Sequence, residues 1–123
     1  MSLFRQFERE QRAGSDRGET DGATPVTVVP DPGPGLFQEV DVLRFLNLDT
    51  VAVDIYVRIS DGGGDDIIDQ HLALDPDGVA HSADHLHRLR VFENQSITVV
   101  LGGAVTTNEP RWTSSWITVP IAE

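Results

Sequence analysis

Residues 50–60 read Thr-Val-Ala-Val-Asp-Ile-Tyr-Val-Arg-Ile-Ser, and their alternation constrains the fold more than any other feature of the chain. Val51, Val53, Ile55, Val57 and Ile59 fall on one face of an extended chain, and Ala52, Asp54, Tyr56, Arg58 and Ser60 on the other. Such an unbroken period of two predicts a strand with one face buried and one wet.

The rest of the chain repeats this grammar in shorter pieces. Residues 40–48 predict a second strand, with Leu43 and Phe45 set against Val42, Leu46 and Leu48; Asn47-Leu48-Asp49 then leads into residues 50–60 as a tight hairpin. Residues 26–29 are a β-branched run fenced by Pro25, Pro30, Pro32 and Pro34, which predicts an edge strand followed by a rigid connector. Asp61-Gly62-Gly63-Gly64-Asp65-Asp66 is a loop, residues 67–74 resume the alternation, and Asp75-Pro76-Asp77-Gly78 is a turn. Residues 79–85 fit a single helical turn at most. Residues 86–92 and 97–101 predict strands joined by a turn at 93–96, and Gly102-Gly103 stops the second. Residues 112–121 close the chain, with Trp112 and Trp116 on one face and Ile117, Val119 and Ile121 on the other.

Seven or eight short strands separated by Gly, Pro and Asp turns predict an all-β fold, an antiparallel β-sandwich. A strongly twisted open barrel is the alternative. No helical period of the required length lies between the strands, which excludes a βαβ fold.

The chain has 123 residues, the size of one domain. Residues 25–123 are expected to form the sandwich and residues 1–24 an N-terminal arm. The polar run 11–24 has no apolar period and is expected to be mobile when alone. Leu3, Phe4 and Phe7 share one side of a helical turn, so residues 1–11 are either a frayed terminus or a short amphipathic helix whose aromatic side suits a groove on a partner.

Composition narrows the chemistry. Zero Cys excludes thiol catalysis, thiolate metal sites and disulfides. Twenty acidic residues face nine basic ones, all of them Arg, for a net charge of −11. That surface repels phosphate, so neither nucleic acid nor an anionic membrane is an expected partner. No apolar run is long enough to span a bilayer, and the first residues lack the apolar stretch of a secretory signal.

Clusters with chemical potential are present but incomplete. Asp61, Asp65, Asp66 and Asp69 could offer oxygens to calcium, yet their spacing fits no calcium loop. His71, His81, His85 and His87 could supply pairs of metal ligands, where a catalytic zinc site needs three. Ser82, Asp84 and His85 hold the letters of a hydrolase triad without a nucleophile elbow. Gly62-Gly63-Gly64 lacks the lysine and helix of a phosphate loop. Tyr56, Trp112 and Trp116 could form a platform for a sugar ring, or the tryptophans could simply pack in a core or interface. The expectation is no catalytic site, no cofactor and no metal.

Val42-Leu43-Arg44-Phe45-Leu46-Asn47-Leu48-Asp49-Thr50-Val51-Ala52-Val53, then Val57-Arg58-Ile59-Ser60-Asp61-Gly62, and later Gln95-Ser96-Ile97-Thr98-Val99-Val100-Leu101 form a recurring arrangement. Over residues 40–101 the chain resembles small β-sandwich structural proteins of tailed bacteriophages and phage-like particles, of the capsid-decoration, head-spike or fibre-base type. The long acidic stretch 61–85 departs from that pattern. The resemblance implies a non-enzymatic virion component, assembled in the host cytoplasm, whose partners are other virion structural subunits and further copies of itself. Leu3, Phe4, Phe7, Trp112 and Trp116 are the expected contact residues. The alternative expectation is a carbohydrate- or receptor-binding module.

Overall fold

The computed structural model of the chain describes residues 12–61, 66–78, 80–82, 89–103 and 107–121. Nine strands lie within them: β1 Arg12–Glu19, β2 Val26–Val29, β3 Leu36–Leu46, β4 Val53–Ser60, β5 Asp66–Leu74, β6 Ala80–Ser82, β7 Arg90–Val91, β8 Ser96–Leu101 and β9 Arg111–Pro120. They build an antiparallel β-sandwich. Sheet one runs β1-β9-β3-β6, with β7 also paired to β3, and sheet two runs β2-β8-β4-β5. Among the described residues no helix is long and apolar enough to cross a membrane.

The pairing is nested. β1 pairs with β9, β2 with β8, β3 with β6 and β7, and β4 with β5. The chain therefore behaves as one long antiparallel ribbon rolled over on itself, which is jelly-roll topology. β6 and β7 lie along one edge of β3, at Arg44 to Leu46 and at Gln38 to Glu39, as two pieces of a single interrupted edge strand.

The core sits between the sheets. Val53, Ile55, Val57 and Ile59 of β4 are at most 4% exposed and meet Val40, Leu43, Phe45 and Trp112 from sheet one. Each fully buried aliphatic side chain contributes about 1.5–3 kcal/mol. Val51 lies outside β4 and is exposed.

A bulge explains the unusual length of β3. Its register against β9 shifts between Val40 and Val42, leaving Asp41 as the extra residue. The shift changes the parity of the strand, so Gln38 and Val40 face inward before it and Leu43 and Phe45 after it. A strict period of two begun at Leu43 misses the first half of the strand, as the sequence expectation did.

Three sequence expectations need correction. Residues 40–48 and 50–60 do not form a hairpin, because β3 pairs with β9 while β4 pairs with β5 and β8 in the other sheet. The segment between them crosses from one sheet to the other, and its Asn47 and Asp49 are buried rather than being the polar tip of a turn. Residues 12–19, expected within a mobile arm, form β1 paired in register along β9. The residues around 80 form the short strand β6, not a helical turn.

β1 has almost no apolar side chain, and its partner provides what it lacks. Gly14 pairs with Trp116 and Gly18 with Trp112. The two indoles cover these glycines: a Cβ added to Gly18 would lie 3.0 Å from the Trp112 ring, and one on Gly14 would overlap the Trp116 ring. Cross-strand coverage of edge glycines by aromatics stabilises a strand that its own sequence does not favour.

The connections between strands converge at one end on a buried polar junction. Asn47 Nδ2 donates to the Val51 and Leu74 carbonyls, and the Asp49 N–H donates to Asn47 Oδ1. The Asp49 carboxylate accepts the Thr107 and Asn108 N–H groups at 3.2 and 2.8 Å. Asp77 and Gly78 N–H groups donate to the Asp49 and Asn47 carbonyls, from a turn in which both residues have positive φ. Beside it, Glu109 accepts from Thr20 Oγ1 and the Gly22 N–H. The opposite end carries the start of β1, the end of β9 and the turn at 92–95.

Candidate interaction surface

Among the described residues no group of three or more His, Asp or Glu side chains is placed to hold a metal ion. His71 is on β5 in sheet two and His81 on β6 in sheet one, so these two do not meet. His71 Nε2 lies 3.1 Å from Asp54 Oδ1, with its ring 5.2 Å from that of Tyr56. His81 Nε2 accepts the Asp75 N–H at 2.9 Å, which ties down the turn between β5 and β6. His85, His87, Asp65 and Asp84 lie outside the described residues. Asp61 is described, and it belongs to no metal-holding group among the described residues.

Sheet one presents a different kind of feature on its outer face. Inward-facing pairs such as Val40–Trp116 and Phe45–Trp112 alternate with outward-facing pairs Phe37–Val119, Glu39–Ile117 and Arg44–Thr113. At the end where β1 begins, apolar side chains cluster on this face beside Glu39 and Arg90. Phe37 of β3, Val119 of β9, Ile117 and Ile121 lie along neighbouring strands, and Phe92 follows β7 with its ring 5.8 Å from Phe37. Ile117, Phe92 and Ile121 are 42%, 42% and 44% exposed. Arg90 stacks on Phe37 with its guanidinium carbon 4.8 Å from the ring centre, an arrangement that keeps the cation on the face while covering part of the ring.

The charges of this face nearly cancel. Arg17, Arg44, Arg90 and Arg111 stand against Glu19, Glu39 and Asp41. A chain of net charge −11 thus has one broad face that is close to neutral and partly apolar. Arg111 Nε lies 3.7 Å from Glu19 Oε1, and with both groups well exposed this pair adds little stability. Exposed apolar patches rimmed by polar groups mark interaction surfaces.

The expected contact residues are distributed unevenly around this surface. Trp112 is 4% exposed and belongs to the core, so it cannot touch a partner without unfolding the sheet. Trp116 is half-buried against the core, over Gly14. Leu3, Phe4 and Phe7 lie outside the described residues. The sugar platform does not assemble, because Tyr56 faces outward from sheet two while both tryptophans face inward from sheet one. The outward partners in β9 are Ile117 and Val119, the residues that the sequence had set on the face opposite the tryptophans. The signal that could have assigned the faces was the matched spacing of Gly14 and Gly18 with Trp112 and Trp116, which pairs small with large on one side.

No protein-family model matches the chain, and no curated protein matches it. Among solved structures, the fold is similar to that of a subunit of Bacillus endospore appendages, described as a family of disulfide-linked pili. The TM-score is 0.53 at 14% identity, covering 91% of this chain and 88% of that one. Two structures from infectious bursal disease virus, one of the Gx strain and one of a VP2 subviral particle, align with TM-scores of 0.34 and 0.32 at 11% and 14% identity. Each alignment covers 90% of this chain, which spans 32% of the viral chains. The appendage likeness establishes a shared fold.

Proposed function

We propose that the chain is a non-enzymatic structural subunit that works by repeated contact with other subunits of a particle or appendage. In its finer form the reading is a virion component that decorates a capsid or forms the base of a head spike or fibre. It docks by its N-terminal arm and by its sandwich surface, among other virion structural subunits and copies of itself, and is assembled in the host cytoplasm. The observation that carries the reading is the outer face of sheet one, near-neutral and apolar at one end in a strongly acidic chain. A monomer gains nothing from exposing Phe92, Ile117 and Ile121 together, whereas an assembly buries them.

The jelly-roll frame suits this role because its nested pairing leaves few free edges and a rigid body. The appendage protein with a similar fold belongs to pili linked by disulfides. With no cysteine, this chain has to hold its neighbours by non-covalent contacts, which places the burden on such a face. Sedimentation velocity over a range of concentrations, with electron microscopy of the same samples, tests the reading. Self-association into rings, filaments or shells supports it. A monomer at every concentration, or turnover of a substrate by the purified chain, overturns it.

A further inference from the structure

We infer that the apolar end of the outer face of sheet one receives the N-terminal segment of a second copy of this chain, inserted through Leu3, Phe4 and Phe7. The inference rests on the assembly reading above and names its contact.

Three observations point to that occupant. The first is where the segment leaves the sheet. Arg12 pairs with Thr118 and β9 ends at Pro120, so only two positions of β9 remain for at least eleven preceding residues. Eleven residues can span up to about 3.3 Å each, so the segment is long enough to reach a neighbouring copy beyond the end of this sandwich. The second is charge. Residues 1–11 carry Arg5 and Arg9 against Glu8 and Glu10, a balanced segment in a chain of −11, and the face that would receive it is nearly balanced as well. Segment and face can therefore approach each other with little like-charge repulsion. The third is side-chain type. Phe4, Phe7 and Leu3 match an acceptor built from Phe37, Phe92, Ile117 and Val119, where aromatic anchors entering an apolar patch dominate binding energy.

The resulting contact is head-to-tail. Each copy offers one segment and one face, so contacts propagate until a rotation closes a ring or a filament grows. Segment and face can be inactivated separately, which makes the idea decisive to test. Ile117→Glu alters an exposed position and destroys the face; Phe4→Ser with Phe7→Ser destroys the segment. Near-UV circular dichroism confirms that both full-length variants fold.

Each variant alone is expected to be monomeric at concentrations where the wild type associates. Mixing them is expected to give a one-to-one complex, because the intact segment of one meets the intact face of the other. A fluorescently labelled peptide of residues 1–11 is expected to bind the segment variant and to lose about tenfold or more in affinity when Ile117→Glu is added. If the segment variant self-associates as well as the wild type, the second copy docks by another route and the inference fails while the assembly reading survives. If the wild type is monomeric throughout, whether or not the peptide binds, both fail.

Discussion

The indole of Trp116 lies directly over Gly14, its cross-strand partner, closely enough that a methyl group on Gly14 would overlap the ring. Gly14→Ala therefore has to displace an indole that packs against the core. Overpacking of this kind costs about 1–3 kcal/mol. Gly18→Ala, where the added Cβ would stand 3.0 Å from Trp112, calls for a smaller adjustment. Urea denaturation is expected to rank Gly14→Ala below Gly18→Ala below wild type in stability. Tryptophan emission should shift to the red in the first variant as Trp116 is lifted. Equal stability of all three would show that β1 does not depend on this coverage.

That same pairing marks the limit of what could be read from the chain. β4 was legible because its own residues carry the full alternation, and Val53, Ile55, Val57 and Ile59 are buried as the pattern required. β1 was not, because Gly14 and Gly18 are strand residues only in the presence of Trp116 and Trp112 about a hundred positions later. Sheet assignment was equally hidden. Asn47 and Asp49 look like turn residues, and nothing local distinguishes a hairpin from a crossing between sheets; the difference lies in Leu74, Asp77 and Asn108, which bond to them from distant segments. For the candidate surface, the sequence separated the two faces of β9 correctly but chose the tryptophans as contacts. Large aromatics facing small residues are drawn inward, which leaves Ile117 and Val119 outside.

Asn47 is fully buried and its side-chain amide donates to two carbonyls on different segments. Asn47→Leu keeps the branched outline of the side chain but strands those groups, a loss of about 2–4 kcal/mol. Asp49→Ala acts elsewhere, withdrawing the acceptor of the Thr107 and Asn108 N–H groups. Faster hydrogen exchange at those two amides is the expected signature, while the amides of β4 stay protected. Unchanged exchange at Thr107 and Asn108 would show that the carboxylate does not anchor this loop.

Ser114 joins the two sheets. Its hydroxyl, on β9 and fully buried, donates to the Val28 carbonyl at 2.6 Å, and Val28 is the bulged residue skipped in the register of β2 against β8. A bulge takes a carbonyl off the ladder, and a hydroxyl from the facing sheet restores a partner. Ser114→Ala is expected to lower stability by about 1–3 kcal/mol. Ser115→Ala, on the outer face, should change it by no more than about 0.5 kcal/mol. Thermal unfolding of the two variants side by side checks the contrast, and similar melting temperatures would remove the inter-sheet role.

The charge distribution predicts that added salt strengthens both folding and association. With net charge −11, folding compresses like charges, and raising NaCl from about 0.01 M to about 1 M shortens the screening length from about 30 Å to about 3 Å. The folded state should gain stability on the order of 1 kcal/mol, about 4 °C in melting temperature for a domain of this size. Association through a nearly balanced, apolar face gains in the same direction, because screening weakens the repulsion between the acidic bodies without weakening Phe37, Phe92 or Ile117. Contacts made instead by complementary ion pairs would loosen as salt rises. A sedimentation series across this salt range therefore separates the two kinds of interface, and dissociation at high salt would rule out the apolar face as the dominant contact.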